Sequence, residues 1–518
     1  MRPVGTRHLP GSGDNVGFSN FVLMPKYWDR KGMCAAMVLA VAAAAATSLP
    51  SSAASSSARG HLSRTEARAT SVFPGCAWPI ETTPATANVA APDPFATYWT
   101  TPYIADPHDS ITIRGVYPKS RFMSFAAYND SFQLFMNTVH GKSVPSDLSD
   151  YQITANRGSR NPWRTGRVTR HDAYTVRLRP RVTAAQHHHE NAIPMIDQNP
   201  PANPSGPARL GYVIFRTYIP AGGNTTVRLP SITIRRNGRS TALPTCPRDG
   251  TAAGSREAAL TRMPKPAGTM DRGTSTVPEL QYFGPSAASQ SGLFPNPVNA
   301  YLVMEFTPKN GYVIVTHGQA PTSPTQAGRG VPGNSVGAYP VPWIHPDFQV
   351  RYWSIANYLN MQPYPVVKIG RGSRAIFGGT ADYLTSLRNG FYTVVSSLPA
   401  DKPSPAALRA SAATWIPTSA AHPTAPEFQL LRNMLSQQVL YPEGFTFIPP
   451  PASSSDFIPP ATVQRHMNAY YPQTAQCTVK TFERGGWTGC LAATKRLLGP
   501  EAGATGDADG TALRKSGC

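Results

Sequence analysis

A mainly β chain containing two related domains in tandem is the fold class this sequence predicts, and three observations predict it. First, RYWSIANYLN (from Arg351) has a twin in RFMSFAAYND (from Arg121), with Arg, Ser, Ala and Tyr at matching places. Second, PDPFATY (from Pro92) and PNPVNAY (from Pro295) share Pro-x-Pro-x3-Tyr at an offset of 295 − 92 = 203. The same offset aligns Ile111 with Ile314, Gly115 with Gly318 and Pro118 with Pro321. A solenoid would repeat every ~20–50 residues, so this distance means a duplicated domain. Third, only 15% of residues are charged, while Pro numbers 53 and Gly 42, the mix of a turn-rich β protein.

Taken in order, residues 1–58 read as an export signal. Arg30 and Lys31 precede the apolar run MCAAMVLAVAAAAA, which is too short to cross a bilayer, and Ser-Ser-Ala cleavage sites follow at Ala53 or Ala58. Met24 offers a later start. Residues 59–75 read as a linker. In the first repeat, 76–248, the strand candidates are Ser110 to Val116, Arg121 to Ala127, Tyr174 to Leu178, Leu210 to Tyr218 and Thr225 to Ile234. In YTVRLRPR, Tyr174, Val176 and Leu178 alternate with Arg177 and Arg179, the period of a half-buried strand. A linker, 249–278, leads to the second repeat, 279–400, with strands at NAYLVMEF, GYVIV and FYTVVS and a Gly/Pro-rich insertion from Thr322 to Pro346. Residues 401–498 form the C-terminal helical and loop segment. There Phe428, Leu431, Met434 and Leu435 recur at helical spacing, with weaker helix candidates at 461–470 and 491–498. Residues 499–518 read as a disordered tail.

Without its signal the chain carries 43 basic and 26 acidic residues, 43 − 26 = +17, against +20 for the whole sequence. A balance of this kind favours anionic polymers or membrane surfaces, and export argues against nucleic acid. No other stretch is long and apolar enough to span a membrane. Among the cysteines left in an exported chain, Cys76 pairs with Cys246 around the first repeat and Cys477 with Cys490, leaving Cys518 over.

Motifs with chemistry are few. Gly333 to Gly337 fits G-x-S-x-G and Gly328 to Gly333 fits G-x-G-x-x-G, but neither has the flanking strand and helix those motifs need. His187 and His189, in HHHE, are weak metal candidates, better read as an exposed polar loop, since neighbouring side chains diverge and no further ligand pattern accompanies them. No motif calls for a cofactor. Eight arginines and one acid lie between Arg157 and Arg181, a basic face whose guanidinium forks match phosphate or carboxylate groups. From this face come the binding candidates Arg177 and Arg179. The repeat adds Arg121, Arg351 and the copy-specific Trp353, although its Arg and Tyr positions also suit hydrogen bonds that tie loops down. Asp93 and Asp130 become amides (Asn296 and Asn360) in the second copy. Acid–base work therefore belongs to the first copy, with Asp93, Asp130 and His140 as catalytic candidates.

C-x-W-P at Cys76, the two repeat motifs, GFYTVVSSLPADKPS and LLRNML together resemble a family of secreted actinobacterial proteins of unassigned activity. More distantly, the chain is similar to a tandem pair of bacterial domains of unknown function. That likeness implies two jelly-roll-like β-sandwiches and transfers no catalytic residue. Together these features give an exported cell-envelope or extracellular protein binding an anionic polymer or glycan. The alternative is a secreted hydrolase or lyase with its site in the first repeat or between the repeats.

Overall fold

The computed structural model describes residues 73–498, apart from 130–131, 136, 140, 168, 198–209, 248–279, 286–293, 325–339, 372–374 and 450–456. The signal, most of the 59–75 linker, the 249–278 linker, the tail, Asp130, His140 and the two glycine motifs at 328–337 lie outside the described residues.

The first domain runs β1 (Ile80–Thr82), β2 (Ala96–Ile104), β3 (Ser110–Val116), β4 (Ser120–Tyr128), β5 (Asn137–Val139), β6 (Lys142–Val144), β7 (Asp147–Ser149), β8 (Ala173–Arg179), β9 (Ala192–Pro194), β10 (Leu210–Pro220), β11 (Ser231–Arg236) and β12 (Arg239–Ala242). Two five-stranded sheets result, β1-β2-β10-β4-β7 and β12-β11-β3-β8-β9, with β5-β6 a separate hairpin. The second domain runs β13 (Asn299–Phe306), β14 (Tyr312–Gln319), β15 (Val350–Leu359), β16 (Lys368–Ile369), β17 (Ile376–Phe377), β18 (Gly379–Ala381), β19 (Leu387–Arg388), β20 (Phe391–Ser397), β21 (Ala413–Pro417), β22 (Glu427–Ser436) and β23 (Gln473–Thr478). Its sheets are β13-β22-β15-β18 and β19-β20-β14-β23, with β21 on β20 and β16-β17 apart.

The duplication extends to the hydrogen-bond register. Arg216 in β10 lies opposite Ser124 and Tyr98, and Arg432 in β22 lies opposite Ser354 and Tyr301. Both domains end one sheet on a parallel pair, β8-β9 and β20-β21. Each pair of sheets closes on an aromatic and aliphatic core: Trp99, Phe125, Ile113 and Val176 in the first domain, and Trp353, Ile355, Ile314 and Val394 in the second. The repeated glycine has a steric origin. A Cβ on Gly115 would stand 2.5 Å from Tyr174 Oη, and one on Gly318 would stand 2.7 Å from Tyr392 Oη. Each glycine lets a tyrosine of the neighbouring strand cross its backbone.

The predicted helix around Phe428 is instead β22, which lies between β13 and β15 at the centre of a sheet. Phe428, Leu430, Arg432 and Met434 face the first domain, while Gln429 and Leu431 face their own core, so both faces are buried. No apolar/polar alternation results, and the i, i+3 spacing carries no helix. The second sandwich therefore does not stop at residue 400: β21, β22 and β23 complete its sheets. Helical structure in 401–498 comprises Pro405–Ala410, Pro460–Met467 and Val479–Leu498, the last kinked at Gly486 (φ 54°).

Both disulfides form as the sequence predicts, Cys76–Cys246 and Cys477–Cys490. The two domains then stack sheet against sheet. Phe122 and Tyr218 of the first pack on Tyr352 and Met434 of the second, and every residue of β4 and β15 is buried. Four β-layers follow, with the two repeat motifs as central strands of the inner pair.

Candidate functional site

The inner layers are joined by a crossed pair of buried ion pairs. Arg121 Nη1 of the first domain donates to Asp382 Oδ2 of the second at 2.9 Å. Arg351 Nη1 of the second donates to Asp150 Oδ1 of the first at 2.5 Å. All four side chains have zero exposure. Burial pushes both carboxyls above the ordinary range and the arginine opposite each pulls it back. Arg121 also donates to the Arg351 carbonyl, and the Trp343 ring, from the described end of the 322–346 insertion, lies 5.0 Å from the Arg351 guanidinium.

Asp93 belongs to the same seam. Its carboxylate accepts from Tyr352 Oη at 2.9 and 3.0 Å and from Ser354 Oγ at 2.8 Å, all across the domain boundary, and has no exposure. Tyr128 Oη donates to the Pro295 carbonyl, and Tyr358 Oη to the Pro92 carbonyl. The repeat's arginines and tyrosines thus do bond backbone, but across the copies instead of within them. Arg121, Arg351 and Trp353 present no surface to a ligand, because each is wholly enclosed. Asp93 is likewise closed off from any solvent-borne substrate.

The outer layers differ, and the difference defines the candidate site. On β12-β11-β3-β8-β9, Ile111, Ile113, Val176, Leu178, Ile232 and Ile234 point inward. Alternation sends Ser110, Thr112 and Arg114 of β3, Thr175, Arg177 and Arg179 of β8, and Ser231, Thr233 and Arg235 of β11 outward. Arg235 lies opposite Ser110, Thr233 and Arg177 lie on either side of Thr112, and Ser231 and Thr175 flank Arg114. The result is a flat Ser/Thr lattice studded with guanidinium groups.

In the second domain the matching positions are Val313, Val315 and His317 on β14, Val395 on β20 and Cys477 on β23. That face is apolar and covered: Phe482 and Cys490 of the Val479–Leu498 helix pack on Val313, Val315 and Val395. His317 is stacked between Phe391 and Trp487, and burial pushes its pKa down to about 4. One copy closes this face with a helix pinned by a disulfide. In the other the matching positions are polar, with Arg114 and Arg235 exposed.

Not every arginine on the open face is equally free. Arg179 pairs with Glu190 at 2.8 Å, and Arg177 donates to the Glu190 carbonyl at 3.1 Å. Arg114, Arg228 and Arg235 are exposed and carry no ion pair among the described residues. Arg114 and Arg228 line an open basin of about 560 Å³ with Gly115, Val116, Leu229 and Ser231 at the end of the sheet. Arg228 was not singled out from the sequence: it sits in the turn before β11, where no alternation marks it.

The remaining candidates fall elsewhere. HHHE is not a loop but part of the helix Ala184–Glu190, capped by Thr183 with Gln186 reciprocating. His187 is buried with Nδ1 on the Ala192 carbonyl at 2.9 Å, whereas His189 is exposed, and two residues apart on a helix they point to opposite sides. No group of three His, Cys, Asp or Glu among the described residues could hold a metal, and no described helix is long and apolar enough to cross a membrane.

Glu427, which sequence reasoning passed over, is a buried acid with no cation among the described residues to offset its shift. It is wholly buried at the start of β22, with Oε1 accepting from the Ser419 amide at 2.7 Å and Oε2 unpartnered, and desolvation pushes it up to about 8. A folded pKa above the unfolded one contributes stability that is complete below the unfolded value near 4.5 and is lost as pH rises through about 8. Glu427→Gln is therefore expected to be more stable relative to the parent at pH 8 than at pH 4.5. The difference should grow by at most about 1.4 kcal/mol per pH unit. Urea unfolding at a series of pH values checks it, and a parallel pair of curves would contradict the assignment.

No family model matches the chain, and no curated protein does. Among solved structures, an uncharacterised protein from Burkholderia cenocepacia is 13% identical over 77% of this chain and 81% of its own, with a TM-score of 0.41. The VPA0106 protein from Vibrio parahaemolyticus is 9% identical over 68% and 87%, with a TM-score of 0.32.

Proposed function

We propose that the protein is an exported cell-envelope or extracellular binding protein whose ligand is an anionic polymer or an acidic glycan. The ligand lies on the outer face of β12-β11-β3-β8-β9 and reaches into the basin at its end. One observation carries this reading: the two copies share a fold, yet among the described residues the second packs a helix on this face while the first lines it with exposed Arg114 and Arg235 and half-buried Ser110, Thr112 and Thr233. Unpaired guanidinium groups over a hydroxyl lattice suit repeated phosphates, carboxylates or sulfates, each charge-assisted bond contributing about 1.5–3 kcal/mol. The net charge of +17 that remains without the signal adds long-range attraction.

The test is an array of teichoic acids and acidic polysaccharides probed with the full secreted chain at about 50 and about 200 mM salt. Binding is expected to weaken with salt. The triple variant Arg114→Ala, Arg228→Ala, Arg235→Ala should lose on the order of tenfold affinity or more while unfolding at the parent's temperature. Binding that ignores both salt and these substitutions, or no binding at all, sinks the reading.

A further inference from the structure

The seam between the domains is two copies of one arrangement, but the Asp93 carboxylate of one half is an amide in the other, where Asp147 stands opposite Ala126 in place of Gly379 opposite Ala356. In the half built on β15 and β22, Tyr358 Oη donates to the Pro92 carbonyl. Arg432 donates to Tyr358 Oη at 2.7 Å and to the Ala91 carbonyl at 2.7 Å. The next residue, Asp93, accepts from Ser354 and lies 3.9 Å from Arg432 Nε. In the half built on β4 and β10 the same bonds recur. Tyr128 Oη donates to the Pro295 carbonyl at 2.8 Å, and Arg216 Nη2 donates to Tyr128 Oη at 2.9 Å and to the Phe294 carbonyl at 3.5 Å. The residue at the place of Asp93 is Asn296, and Phe122 stands where Tyr352 stands.

The donors remain after the carboxylate has gone. Ser124 Oγ, Arg216 Nε and Asn296 Nδ2 have no hydrogen-bond partner, and their residues are 3%, 2% and 6% exposed. In the other half their equivalents are Ser354 Oγ, which donates to Asp93 Oδ2 at 2.8 Å, Arg432 Nε, which lies 3.9 Å from the same oxygen, and the Asp93 carboxylate itself. Arg216 makes no ion pair among the described residues; the Tyr98 ring, 5.5 Å away, and Tyr128 are its neighbours, and the buried Asp147 carboxylate, opposite Ala126 on β7, acts on it through space without bonding it. One guanidinium N–H, at Nε, and two further buried donors with no acceptor are costly unless an acceptor meets them.

We propose that this half of the seam binds a small monovalent anion of halide size between Ser124 Oγ, Arg216 Nε and Asn296 Nδ2, beside the amide that replaces the Asp93 carboxylate of the other half. The anion is a structural ligand of the domain junction and stabilises the stacked pair by mass action. Asn296→Asp would supply the missing carboxylate and make the ion redundant.

Thermal unfolding of the full chain in sodium bromide and in sodium gluconate at equal ionic strength tests this. The wild-type midpoint is expected to be higher in bromide by about 2–4 °C, and the Asn296→Asp midpoint equal in the two salts. In crystals grown from bromide, an anomalous peak should lie within hydrogen-bonding distance of Arg216 Nε in the wild type and be missing in Asn296→Asp. Equal wild-type midpoints overturn the proposal. So does a bromide shift that persists in Asn296→Asp, which would assign it to surface arginines, or an ordered water in place of the peak.

Discussion

Arg351→Met is expected to cost about 3–5 kcal/mol of unfolding free energy, because it strands the Asp150 carboxylate in a seam that water does not reach. Arg351 and Asp150 both have zero exposure, and the bond joins strand β15 of one domain to the turn after β7 of the other. The companion variant Arg351→Met with Asp150→Leu removes both charges and should recover most of the loss, since a buried pair replaced by apolar groups of like size is often neutral. Chemical denaturation read as a shift in midpoint at constant slope measures each. A single variant within about 1 kcal/mol of the parent would mean that solvent enters the seam. The symmetry-related bond between Arg121 and Asp382 should behave the same way, because its geometry is the same bond in the mirrored half.

Trp353→Ala should be nearly as damaging, about 3–5 kcal/mol, for a different reason. Trp353 is wholly buried in the core of the second sandwich, 5.4 Å from the Tyr392 ring, so truncation opens a cavity that rigid strands on both sides cannot fill. Its place in the sequence invites a role in ligand stacking, and the same variant separates the two ideas. Polymer affinity of the folded variant should equal that of the parent. Lost affinity with unchanged stability would restore the ligand role.

The strands that were easiest to read are those with one wet face. In β8 the alternation of Tyr174, Val176 and Leu178 with Arg177 and Arg179 is legible because one side meets the core and the other meets water. The glycines at 115 and 318 and the four paired cysteines were legible too, since each answers a local steric or covalent demand. β22 was misread because Gln429, Arg432 and Asn433 mix with Leu430, Leu431 and Met434 on two buried faces, and a central strand of an inner layer has no alternation to show. Arg121 and Arg351 stand out in the sequence both as binding candidates and, more strongly, as groups that tie down the fold. Their partners, Asp382 and Asp150, lie 261 and 201 residues away in sequence, and no local pattern links them.

The sequence by itself determined the duplication and the β character, because identical residues at a fixed offset need no folded context, whereas the pairing of the cysteines was an expectation that the folded chain decided. Only the tertiary structure decided that the repeat motifs face each other. Stacking two sheets turns their outward residues into a second interior, where Asp93, Arg121 and Arg351 are consumed as cross-domain bonds. It also decided where a ligand can still reach. The Val479–Leu498 helix covers one outer face, whereas on its counterpart Arg114 and Arg235 are exposed; Val313 and Val395 are buried.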